Sequence, residues 1–78
     1  MIDFMKLLEL VQIDGFTCEI SSDANSIKFT WRGWSEEVDQ VIGYTTVISK
    51  IVLSHAVAPE DVIICAVTAA RKGLEKMR

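Results

Sequence analysis

Apolar residues in the first fifteen positions recur at helical spacing. Phe4, Leu7, Leu8 and Val11 form one stripe, and Asp3, Lys6, Glu9 and Gln12 lie off it. This predicts a helix over residues 3–12. Asp3 can cap its start, and Asp14-Gly15 supplies a stop. Met5 and Leu10 fall outside the stripe, so each either meets a second layer or stays exposed.

The period then changes from helical to two. Phe16, Cys18 and Ile20 alternate with Thr17, Glu19 and Ser21, and Ile27, Phe29 and Trp31 alternate with Lys28, Thr30 and Arg32. Between the two runs lie the turn formers Ser22-Asp23-Ala24-Asn25, and the whole reads as a β-hairpin. Folding about Asp23-Ala24 sets Phe16 opposite Trp31, Cys18 opposite Phe29 and Ile20 opposite Ile27. The other face then pairs Glu19 with Lys28 and Thr17 with Thr30, both favourable across strands. A slip by one residue would turn the aromatics toward water.

Beyond Gly33 the reading returns to helices. Ser35 suits an N-cap, and Glu36 and Glu37 suit the positive end of a helix dipole. Residues 41–53 are rich in β-branched side chains, yet Asp39, Gln40, Gly43, Thr46, Lys50 and Ser54 recur every three or four positions. That spacing predicts a helix with an apolar arc of about 200°. Pro59, followed by Glu60 and Asp61, starts a third helix. Its inner face holds Val62, Ile63, Ala66, Val67, Ala69, Ala70 and Leu74, and Arg71, Lys72, Lys76 and Arg78 lie toward its end. With a short connection, helices two and three should run antiparallel, bringing Glu36, Glu37 and Asp39 near Arg71, Lys72 and Lys76.

The fold class is therefore α+β, in the order α-β-β-α-α, with residues 1–78 forming one small domain. A two-stranded antiparallel hairpin packs on a helical layer. Composition adds an oligomeric expectation. Half of the 78 residues are apolar and the mean hydropathy is +0.30, although a chain this short hides only about 60% of its unfolded surface. A homodimer absorbs such a surplus. Joining two hairpins edge to edge into a four-stranded sheet would also cover their unpaired backbone groups.

The apolar runs are too short to span a bilayer, and charges near the start spoil a signal peptide. A cytoplasmic location is expected, with Cys18 and Cys65 as reduced thiols. A net charge of -3 and an isoelectric point of about 4.9 argue against direct nucleic-acid binding, which rests on clustered lysine and arginine. His55, the single histidine, has no nucleophile or orienting partner in view. Cys18, mid-strand on the apolar face, reads as an inert core thiol, and Cys65 has no cationic neighbour to activate it. The acidic clusters lack the ligand spacing of a cation loop, and the isolated glycines make no phosphate loop. No catalytic, cofactor-binding or metal-binding residue is assigned, and no cofactor is expected.

What remains is a contact surface. Trp34 follows the strand just before the expected helix cap. It either closes the helix entry as a staple or, with Arg32, anchors a partner, since both residue types are enriched at interface hot spots. Glu36, Glu37 and Asp39 complete the candidate interaction residues. The expected function is that of a non-catalytic protein–protein interaction module, a homodimeric regulator or adaptor that binds a protein partner. The alternative is a small acidic inhibitor that mimics nucleic acid toward a DNA- or RNA-binding machine.

Overall fold

The structure is a computed structural model that describes residues 4–77. Its elements are α1 (Phe4–Leu10), β1 (Thr17–Ser22), β2 (Ser26–Ser35), β3 (Gln40–Ser49), α2 (Lys50–His55) and α3 (Pro59–Met77). The chain is thus α+β, with a three-stranded antiparallel sheet in the order β1-β2-β3. The Asp3 cap and the terminal Arg78 lie outside the described residues.

The hairpin has the expected faces and a different register. Cys18 faces Trp31, Ile20 faces Phe29 and Ser22 faces Ile27, rather than Cys18 facing Phe29. The turn is centred on Ala24-Asn25, one residue later than expected, because Asp23 acts as its first residue. The Asp23 carboxylate accepts hydrogen bonds from the backbone N–H of Asn25 and of Ser26, each at 2.8 Å. Moving the turn centre by one residue shifts the register by two, which keeps every side chain on its own face. The outer pairs become Glu19 with Thr30 and Thr17 with Arg32.

The helix expected to follow Ser35 is a strand. Ten residues of β3 pair without interruption to β2, from Ser35 opposite Gln40 to Ser26 opposite Ser49. Two small residues, Gly43 and Thr46, imitate a polar helical face. They lie on opposite sides of the strand, and the β-branched run around them fits a pleated surface. Ser35 accordingly ends β2 and caps no helix. Glu36 to Asp39 form the tight connection between β2 and β3, where Asp39 takes a left-handed φ of 54°, and the two glutamates serve no helix dipole. The staple role for Trp34 and the antiparallel packing of two long helices disappear with that helix. Only α2 remains of it, six residues long and capped by the Ser49 side chain. The four-stranded dimer sheet goes too, since β2 is paired on both edges and each copy would bring three strands.

Burial is confined to one face of the sheet. Phe29 and Trp31 from β2 and Ile42 and Ile48 from β3 join Leu7, Val11, Ile13, Ile63, Val67, Ala70 and Leu74 in one core. The α3 residues among them recur at helical spacing, as an inner face should. Ala69, expected on that face, is exposed, because it lies on the flank. Leu10 packs against the core, whereas Met5 stays outside. Trp31 is fully buried, and its indole N–H donates to the Val11 carbonyl at 2.7 Å. That bond fixes the segment after α1 against the middle of the sheet. α3 approaches β3 closely because Gly73 rests on the Tyr44 ring, where a Cβ would come within 2.8 Å.

Candidate interaction surface

With helices and core on one side, the opposite side of the sheet is open. It carries Thr17, Glu19 and Ser21 from β1, Lys28, Thr30, Arg32 and Trp34 from β2, and Val41, Gly43, Thr45 and Val47 from β3. None of these side chains is buried. In the middle the Thr30 and Thr45 hydroxyls approach to 3.3 Å. Glu19 stands opposite Thr30, diagonal to both Lys28 and Arg32.

One end of this face differs from the rest. Trp34 lies directly opposite Val41, and they are 54% and 62% exposed. A half-buried antiparallel strand ordinarily puts polar residues on its solvated side. Here an indole and a valine make a joint apolar step, bounded by Arg32 on the same strand and by the exposed Glu36, Glu37 and Asp39 in the connection. Trp34, Ser35, Glu36 and Glu37 line a shallow groove of about 500 Å³. Ser35 is buried at its edge, and its Oγ has no hydrogen-bond partner among the described residues.

All five residues expected to make contacts therefore gather at one end of the β2–β3 hairpin. They do so through a tight turn rather than a helix start. Sequence reasoning misses Val41, which helical spacing assigns to the apolar arc of a buried helix. Its β-branched neighbours are the available signal.

Groups with reactive potential lie elsewhere and apart. Cys18 and Cys65 are free thiols. Burial pushes the Cys18 thiol up, partly offset by a backbone hydrogen bond at Thr30, which disfavours the nucleophilic thiolate. The His55 ring nitrogen Nδ1 lies 3.0 Å from the Ile51 carbonyl within its own helix. Lys6 and Glu60 form an exposed ion pair at 4.0 Å. A second groove of about 350 Å³ beside Phe16 is lined by Gln12, Asp14, Arg71 and Glu75 among others. Among the described residues, no three histidine, cysteine or acidic side chains cluster to hold a metal, and no helix is long and apolar enough to cross a membrane. Compared with protein-family models, curated proteins and solved structures, the chain matches none of them.

Proposed function

We propose that this chain is a non-catalytic protein–protein interaction module, a homodimer that binds a protein partner through the open end of its sheet. The Trp34–Val41 pair carries the reading, being an exposed apolar step on a sheet face that no described helix covers. Tryptophan in a partly formed groove suits the anchor of an interface, with Arg32 beside it. Glu36, Glu37 and Asp39 at the rim favour a partner with a basic surface and set the rate and specificity of its approach.

Affinity capture with the full chain tests this. Wild type should retain a defined protein that Trp34→Ala loses, with the far-UV spectrum of the variant unchanged. Neutralising the rim in Glu36→Gln/Glu37→Gln/Asp39→Asn should weaken capture most at low salt. Equal recovery of every bound protein by wild type and Trp34→Ala would overturn the reading. The nucleic-acid mimic makes the opposite prediction, with the rim variant decisive and Trp34→Ala mild. Three carboxylates in one turn are its support, whereas Glu60 of the second acidic cluster is engaged by Lys6.

A further inference from the structure

We infer that two copies join through β3, antiparallel about a two-fold axis normal to the sheet, into a six-stranded sheet ordered β1-β2-β3-β3-β2-β1. This rests on the homodimeric reading above and specifies its interface.

The two sheet edges are unlike. β1 is six residues long with Glu19 inside it, whereas β3 is ten residues long. From Gln40 to Ser49 the strand contains no charge and no proline, and its pairing with β2 shows no bulge. Soluble proteins blunt exposed edges with these very devices, because an unprotected edge recruits another strand. Among the described residues, β3 pairs only with β2. Its outer row of backbone donors and acceptors is left to solvent or to a second chain.

That second chain is best supplied by another copy. A two-fold axis normal to the sheet places both helical layers on the same side, so inward residues must meet inward residues. Any axis centred on a residue of β3 achieves this, and Thr45 stands at the middle of the strand. Ile42 then faces the partner's Ile48, Tyr44 faces the partner's Thr46, and Thr45 meets its own symmetry mate. Val41 then faces the partner's Ser49, so no like charges meet along the paired strands, and symmetry repeats each contact at the other end.

Surface area points the same way. The chain exposes 5401 Å², whereas a compact monomer of 8.7 kDa exposes about 4,700 Å². That surplus is surface that contact with a second copy can cover.

Light scattering on the full chain, with two substitutions of exposed residues, is the test. Wild type should have the mass of a dimer, twice 8.7 kDa. Thr45→Lys places like charges opposite each other at the axis, and should raise the dissociation constant by about tenfold or more with the far-UV spectrum retained. Ser21→Lys, on the outer face of β1, should remain dimeric. Thr45→Cys in a Cys65→Ala background should cross-link to a dimer on mild oxidation, which decides the matter if Thr45→Lys fails to fold. A wild type that stays monomeric at every concentration overturns both the homodimer and its interface. A dimeric wild type with an equally dimeric Thr45→Lys, and with no cross-link formed by Thr45→Cys, overturns the β3 interface alone.

Discussion

The bond from the Trp31 indole to the Val11 carbonyl is the place where one substitution tests the core most severely. Trp31→Phe keeps an aromatic ring in the sheet but removes the donor. The Val11 carbonyl then stays buried, since Val11 is 1% exposed, with the 2.7 Å hydrogen bond gone. An orphaned buried carbonyl costs about 1–3 kcal/mol, and the volume of the missing five-membered ring adds about 1 kcal/mol. The expected loss is about 2–4 kcal/mol, against a total of about 4–12 kcal/mol for a domain of this length. At about 4–8 °C per kcal/mol for a chain this size, Tm should fall by about 10–30 °C. Urea and thermal unfolding followed by far-UV circular dichroism measure this. Protein concentration must be held fixed, because association adds to apparent stability. Trp34→Phe is the control and should change stability by less than about 0.5 kcal/mol, as an exposed site does. A loss below about 1 kcal/mol for Trp31→Phe would refute the reasoning, because a carbonyl so easily rehydrated is not part of a sealed core.

Three further outcomes follow from local chemistry. Ser35→Ala should be neutral or stabilising by up to about 1 kcal/mol, because the buried Ser35 Oγ has no partner among the described residues to lose; clear destabilisation in chemical unfolding would mean that the hydroxyl is satisfied. Gly33→Ala should cost about 1–3 kcal/mol, since a Cβ there would stand 2.6 Å from the Gly15 carbonyl and 2.5 Å from the Phe16 ring; an unchanged Tm would contradict that close approach. The N–H groups of Asn25 and Ser26 hold the Asp23 carboxyl below its ordinary value of 3.8. A depressed carboxylate stabilises the fold above its unfolded pKa and loses that contribution as pH falls through the folded one. Asp23→Asn keeps an acceptor without the charge, so its urea midpoint should decline less on acidification than that of wild type, and an identical acid limb would refute the linkage.

Much of the fold can be read directly from side-chain alternation. The two faces of the hairpin, the first helix and the Pro59 start all follow from local pattern, because each element buries one side and wets the other. The register difference has a narrow cause. Alternation alone makes Asp23 a central turn residue, although aspartate at the first position accepts the backbone N–H groups that follow and so defines the turn. β3 is hidden for a deeper reason. Period-two reading needs contrast between faces, and Ile42, Tyr44, Thr46 and Ile48 alternate with Val41, Gly43, Thr45 and Val47, so both faces are apolar or β-branched. With that contrast lost, a chance spacing of small and polar residues outweighs propensity. The candidate surface is legible as residue types, from a tryptophan and arginine beside three acids. Its geometry is not, because the turn that assembles it has the composition of a helix start.

The feature that conceals β3 is also the one that gives it a role. A strand at the edge of a one-layered sheet needs apolar side chains on its inner side only, and Ile42 and Ile48 meet that need by their burial. Nothing in the folding of the isolated chain calls for Val41 and Val47 on the other side, where they remain exposed, or for an edge without a single charge. Each would be disfavoured in a solitary monomer, the first by exposed apolar area and the second by the risk of pairing with any passing strand. Contact resolves both. Joining the β3 edges converts the unpaired backbone into a continuous ladder, and a partner seated on Trp34 and Val41 removes the apolar step from water. Because Thr45 stands four residues along β3 from Val41 and Trp34, Thr45→Lys should weaken self-association by about tenfold or more while sparing capture of the partner by Trp34. A loss of both together would mean that the partner recognises the dimer rather than the single chain.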